Sequence, residues 1–255
     1  MLSRVASSIY WVNRYIERAE NYARFIEVNL NLSLDLPRGT VEQWEPLVAT
    51  TGDHEMFVAR YGKATKETVL HFLVADAENQ NSILSCLLGA RENARSIKEI
   101  IPSEMWEQVN RFYLMVRDAV TRGMSHHDLH AFLADVKAAS HLLWGITDAT
   151  MSHGEGWHFA RLGRLLERAD KTSRILDVKY FILLPTADEV GTPFDIIQWS
   201  DLLKSASALE MYYKRYGRIA PDDVAAFLIL EPTFPRAIRY CLIIAEFFLP
   251  SISGY

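Results

Sequence analysis

The chain is poor in the features that staple, anchor or wrap proteins in recognisable ways. It has 2 cysteines in 255 residues, too few and too isolated for a disulfide framework or a zinc site. Cys86 and Cys241 read as buried thiols of a cytoplasmic protein. The most apolar tract, Tyr240 to Pro250, carries Glu246 and falls well short of the roughly 20 apolar residues that cross a bilayer. The start, Met-Leu-Ser-Arg-Val-Ala, has no basic leader followed by an apolar core, which argues against a signal peptide. Positive charge is also scarce. A net charge of -5 and a pI near 5.9 argue against nucleic-acid binding, which needs a surplus of Lys and Arg over the phosphates. No Gly-rich phosphate loop, Gly-x-Ser-x-Gly elbow or Cys-His signature is present. The sequence therefore points to no membrane, no nucleic acid, no metal and no cofactor.

Strict apolar/polar alternation is missing too, which removes the main signal for a half-buried sheet. None of the 9 prolines falls between Pro46 and Pro102 or between Pro102 and Pro185. Those tracts carry helical periodicity. The expectation is an all-α, multi-helix bundle of about eight to ten helices with no sheet, forming one domain over 1–255 without a flexible linker. The first helix should cover roughly Arg4 to Leu34. Its apolar stripe is Ile9, Val12, Ile16, Ala19, Ala23, Ile26 and Leu30, spaced alternately by three and four residues. A second long helix is expected over Asn79 to Ile100. Ser125 should cap a helix reaching Met151. Another should run from Trp157 to Leu184, followed by a loop over 186–194. Single helices are expected over Phe194 to Tyr216 and Phe234 to Phe248.

What the chain does have is a repeat that keeps its charges. Arg14-Tyr-Ile-Glu17-Arg18-Ala19-Glu20-Asn-Tyr-Ala-Arg24 returns as Arg164-Leu-Leu-Glu167-Arg168-Ala169-Asp170-Lys-Thr-Ser-Arg174, at an offset of 150. With residue 14 at 0° on a helical wheel, the apolar stripe occupies roughly 120° to 220°. Arg14, Glu17, Arg18, Glu20, Asn21 and Arg24 fill the opposite arc, yet Tyr10, Phe25 and Val28 share it. Ala160, Ile175 and Val178 hold the equivalent places in the second copy. A freely solvated face has no use for apolar residues twice, so the charged face should be covered by another helix.

A covered charge must be paired. One reading is structural: the two copies meet about a pseudo-twofold axis and lock through crossed Glu-Arg pairs. The other is functional: the same residues line a polar cleft in which guanidinium groups hold an anion and a Glu acts as acid or base. Arg91-Glu92-Asn93-Ala94-Arg95 uses the same vocabulary and adds Glu92 and Arg95, either as a third charged strip or as a salt-bridged helix surface. His126 and His130 have chelating spacing but no third ligand in view. Glu155 and His158 have the Glu-x-x-His spacing of di-iron bundles, which require two such motifs.

The chain resembles the alpha-E family, an all-helical domain named for its Glu-Arg motifs. The matching stretches are Ser8 to Arg24, Ala90 to Arg95 with Trp106 and Asn110, Gly154 to Trp157 leading into Gly163 to Asp170, Ser205 to Ala208 with Tyr212, and Phe234-Pro235-Arg236 with Arg239 and Cys241. The resemblance implies motif positions at Glu17, Arg18, Glu92, Arg95, Glu167 and Arg168. It also implies bacterial partners, an ATP-grasp ligase-like protein and a transglutaminase-like protein, in peptide synthesis or modification. The expected role is that of a non-catalytic helical partner or substrate-presenting component. The alternative is an enzyme with an anion-binding acid/base site between the two Glu-Arg helices. Family members usually run on into a further helical hairpin. With the end at Tyr255, after an apolar Phe247-Phe248-Leu249-Pro250, we expect the C-terminal helix, including Leu242, Ile243, Phe247 and Phe248, to be buried either in the bundle or in a contact with another chain, the favoured form being a homo-oligomer.

Overall fold

The computed structural model describes residues 1–35, 44–123, 126–181 and 192–254. Among them are twelve α-helices, one π-helical turn and no strand. Two compact units are built from interleaved chain segments. One holds Met1–Arg24, Leu70–Glu167 and Ile244–Tyr255, the other Phe25–Val69 and Arg168–Ile243.

α1 (Ser3–Asp35) is 33 residues long, and the whole apolar stripe read from its sequence is buried. Its opposite arc is covered as well. Glu17, Glu20, Asn21 and Phe25 are all buried, so the argument from intruding apolar residues holds.

α2 (Glu45–Ala49), α3 (His54–Tyr61) and α4 (Lys66–Leu70) are short, and α4 runs into a π-helical turn, His71–Ala75. α5 (Ile83–Ser96) is shorter than expected. Asp76 and Asn79 turn their carboxylate and amide oxygens onto the N–H groups of Glu78 and Asn81, each at 2.9 Å. These local bonds compete with the helix, and Ser82 then caps it by accepting from Ser85 N at 3.1 Å. α6 (Ser103–Arg122) and α7 (His126–Thr150) follow, then α8 (Glu155–Phe181), which carries the second copy of the motif. The expected cap at Ser125, the stop at Pro185 and most of the loop expected over 186–194 lie outside the described residues; that loop ends earlier than expected, because Pro193 and Phe194 already belong to a helix.

The helix expected over Phe194 to Tyr216 is two, α9 (Pro193–Ser205) and α10 (Leu209–Tyr216). Ser207 sits at φ 50. Ser207 N donates to Lys204 O at 2.9 Å and Ala208 N to Leu203 O at 2.7 Å. That is the Schellman helix stop, usually built on Gly; a Ser in its left-handed position gives no warning in the sequence. α11 (Pro221–Leu230) precedes α12 (Ile238–Ser253), which starts four residues later than expected and carries Pro250 in its last turns. Along α12, Cys241, Ala245 and Phe248 are buried, whereas Leu242, Ile243, Phe247 and Leu249 are exposed. Of the apolar residues expected to be buried there, only Phe248 is covered within the single chain.

Candidate functional site

In the first unit α1 meets α8 at a glycine. A Cβ at Gly163 would lie 2.4 Å from the Tyr10 carbonyl oxygen, closer than any side chain tolerates. This approach puts the Glu167 carboxylate, which is fully buried, among the side chains of α1. Arg14 Nε donates to Glu167 Oε2 at 2.6 Å. Arg18 donates from Nε to Oε1 at 2.7 Å and from Nη2 to Oε2 at 3.0 Å, the two-pronged geometry that only a guanidinium offers. Arg18 Nη1 reaches Asn81 Oδ1, and Arg14 Nη1 reaches the Tyr10 hydroxyl at 3.0 Å. Burial opposes the charge on both arginines. The hydrogen bonds and negative charge of Glu167 outweigh it and hold both guanidinium pKa values above their ordinary range.

The reciprocal pair is present but looser. Arg164 Nε stands 3.9 Å from Glu17 Oε2, and its guanidinium lies over the Trp144 ring at 4.5 Å. Glu17 also receives Asn21 Nδ2 at 3.3 Å. Arg14–Glu167 and Arg164–Glu17 thus cross between α1 and α8, one pair tight and the other relaxed. Rings frame every guanidinium of this layer. Arg14 faces Tyr10 and Trp11, Arg18 faces Tyr15, and Arg161 faces Trp157. Cation–π contact of this kind holds the planar group at low desolvation cost.

The remaining motif residues go elsewhere. Arg24 pairs with Glu20 one turn back, and His141 Nε2 stands 3.7 Å from the same carboxylate. In the second unit Arg174 pairs with Asp170 at 3.0 Å and Lys171 does so at 3.0 Å. Arg168 is buried, with Nη1 3.4 Å from the Pro235 carbonyl oxygen. Arg18 and Arg168 thus occupy equivalent places in sequence and different surroundings in space. Glu92 pairs with Arg91 at 2.9 Å and with Arg95 on the surface of α5, and Arg91 also donates to Asn110 Oδ1 at 2.7 Å. For Glu92 and Arg95 the geometry is that of a salt-bridged helix surface. The side chain of His126 lies outside the described residues; His130 is exposed. The His158 ring lies 5.3 Å from Phe248, tilted against it. No group of three or more potential metal ligands occurs among the described residues.

Sequence reasoning missed a second buried ion pair, in the second unit. Lys179 Nζ donates to Asp195 Oδ1 at 2.8 Å and to Gln198 Oε1 at 2.7 Å, with the Trp199 ring 5.1 Å away. Lys179 and Gln198 help to line a cavity of about 100 Å³ whose other walls include Phe25, Leu47, Ile175 and Leu202. Asp195 follows Thr192, whose hydroxyl accepts from Asp195 N at 3.3 Å. From sequence that spacing reads as a helix start and nothing more. The pairing partners stand 16 residues apart, across residues with no periodic signal.

Among the described residues no helix is long and apolar enough to cross a membrane. Three curated mycobacterial proteins match over 94% of this chain. They are uncharacterized proteins of Mycobacterium bovis (22% identical) and of two Mycobacterium tuberculosis strains (22% and 21%). The match spans only 28% of each relative's own length. No solved structure matches. A family model described as a predicted alpha-helical domain with a conserved ER motif covers residues 1–254. The chain's two Glu-Arg dipeptides are Glu17-Arg18, whose arginine binds the buried carboxylate, and Glu167-Arg168, whose glutamate supplies it, and the chain belongs to this Alpha-E family.

Proposed function

We propose that the chain is a non-catalytic helical partner, or substrate-presenting component, of an ATP-grasp-linked peptide synthesis or modification system in the bacterial cytoplasm. Its partners would be an ATP-grasp ligase-like protein and a transglutaminase-like protein. One observation carries the non-catalytic half of this reading: both oxygens of the fully buried Glu167 are occupied by Arg14 and Arg18. A general acid or base must reach a substrate proton within hydrogen-bond distance. A carboxylate with no exposure and both oxygens held by arginine side chains suits holding helices together instead. The partner half follows from the family resemblance and from relatives in which the matched region is a minor share of a longer chain.

The test is co-expression with an ATP-grasp ligase-like protein of the same bacterium, followed by size-exclusion chromatography and an ATP-turnover assay with and without this chain. Co-elution with changed turnover is the expected result. Separate elution with unchanged turnover would overturn the partner role, and substrate turnover by the chain alone would overturn the non-catalytic one. Self-association through the exposed Leu242, Ile243, Phe247 and Leu249 of α12 is the remaining part of the proposal. Exposed apolar patches of this kind commonly mark interaction sites. Light scattering on the purified chain should show a mass above 29.2 kDa; a monomer at high concentration refutes it.

A further inference from the structure

The first unit has one surface where rings and guanidinium groups gather beyond what the buried carboxylate occupies. α1 and α5 run antiparallel there. Ser8 Oγ lies 3.4 Å from Ser96 Oγ, and a Cβ at Gly89 would meet the Tyr15 ring at 3.1 Å. That register lays Trp11 and Tyr15 beside the stretch from Leu88 to Ser96. Trp11 is 37% exposed. Its ring stands 5.4 Å from Tyr15 and 5.7 Å from Tyr10, so it is packed by its neighbours and still partly open to solvent. Leu88, next to Gly89 on α5, is exposed as well.

The charge of this surface is positive on a chain whose net charge is -5. Arg4 is exposed at one end. Arg14 uses Nε on Glu167 and Nη1 on Tyr10, and its Nη2 donates to no described residue. Arg14 and Arg18 share the single carboxylate of Glu167, which leaves one positive charge over beside the exposed Arg4, while Arg95 and Glu92 neutralise each other. The Arg14 guanidinium lies 5.4 Å from the Trp11 ring. A rigid exposed aromatic next to a pre-oriented Arg edge is the composition of an interface hot spot. It suits a ligand that presents a carboxylate beside an apolar side chain.

We propose that this α1–α5 surface docks an acidic peptide segment of a partner protein, with a carboxylate on the Arg14 Nη2 edge and an apolar or aromatic side chain against Trp11. The proposal rests on the partner reading above and says which face the partner meets.

The probe is an end-blocked, fluorescently labelled hexapeptide of alternating Glu and Phe, compared with peptides in which Lys replaces Glu or Ser replaces Phe. Binding is read by anisotropy at low and high salt. The Glu-Phe peptide should bind, weaken with salt and outcompete both counterparts. Arg14→Gln and Trp11→Ala should each lower its affinity about tenfold, and Arg4→Glu should weaken it further in low salt. Arg14→Gln disturbs Glu167, so Trp11→Ala is the deciding variant: it removes none of that carboxylate's hydrogen bonds. Circular dichroism checks that it folds.

Equal binding of the Glu and Lys peptides overturns the proposal. So does equal binding of the Phe and Ser peptides, unchanged affinity of Trp11→Ala, or Trp11-dependent binding to phosphatidylserine vesicles in place of the peptide. Co-elution with the ligase-like protein separates the two claims. If Trp11→Ala and Arg4→Glu still co-elute, this surface is wrong and the partner reading stands. If the wild-type chain never co-elutes, the partner reading falls and the peptide titration decides the surface alone.

Discussion

Two ion pairs with a buried carboxylate, one in each unit, solve one problem with different chemistry. In the first unit Glu167 is shared by two arginines whose planar forks also reach Asn81 and Tyr10. In the second unit Lys179 offers a compact ammonium to one carboxylate and one amide. The arginine site is directional and ties three segments together: α1, α8 and the turn before α5. The lysine site joins α8 to α9 and sits beside a cavity. A guanidinium has fixed donor vectors, so its partners must come to it. An ammonium rotates to whatever is near. The arginine site should therefore tolerate substitution less well than the lysine site.

The largest expected effect is at Glu167. Glu167→Ala strands two partly buried guanidinium groups and should cost about 3–5 kcal/mol, the range for breaking a buried pair from one side. Arg18→Ala should cost less, about 2–3 kcal/mol, because Arg14 remains on the carboxylate. Arg18→Lys should recover only part of that, since it restores charge without the fork. Urea unfolding measures all three, and a lysine variant as stable as wild type would erase the distinction between the two sites.

At the second site Lys179→Met should cost about 2–4 kcal/mol by leaving Asp195 buried without its ammonium. The double variant Lys179→Met with Asp195→Leu should recover most of it, because apolar residues often replace a buried pair at little cost. If the double variant is no better than the single one, the lysine site is as directional as the arginine site and the comparison fails.

Gly163 tests the backbone approach beneath the arginine site. A Cβ 2.4 Å from the Tyr10 carbonyl must push α8 off α1. Gly163→Ala should therefore lose about 1–3 kcal/mol, although in an open helix the same change would stabilise by roughly 1 kcal/mol. A gain in melting temperature would show that α1 and α8 do not meet as closely as described.

These contrasts also explain what could be read from the sequence. The α1 stripe was legible because seven apolar residues kept a three-four spacing, and the covered charged face because Tyr10, Phe25 and Val28 intrude on it. That the charges had to be paired followed from the covered face; which arginine meets which glutamate did not, and the repeated spacing left crossed pairs and a polar cleft both open. The inequality of the Arg14–Glu167 and Arg164–Glu17 pairs did not follow either, because a repeat in sequence carries no information about surroundings that differ. The fate of Arg168, near Pro235, depends on the turn before α12, which resembles nothing near Asn81. The break at Ser207 was hidden because a left-handed stop without glycine leaves no mark. Lys179 and Asp195 were hidden because a long-range pair between two unrepeated residues has no periodic signature.

The smallest expected effect compares the acidic positions that differ between the two copies. Glu20 is buried. Asp170, its equivalent, has a carboxylate about one-third exposed (33%) between Lys171 and Arg174. Burial works against the charge on Asp170, but Lys171 and then Arg174 outweigh it and hold its pKa below the ordinary carboxylate range. A carboxyl group whose pKa is lower folded than unfolded stabilises the protein fully above the unfolded value. That stabilisation disappears as pH falls through the folded value, where both states bind the proton. Asp170→Asn should therefore lower stability at pH 7 by under about 1 kcal/mol, since solvent screens a partly exposed pair. The difference from wild type should shrink steadily once the pH drops below about 4. Melting temperatures of the two proteins across that range measure it. A gap that stays constant with pH, or widens in acid, would mean that the Asp170 charge contributes nothing and that only the first copy of the motif carries stabilising electrostatics.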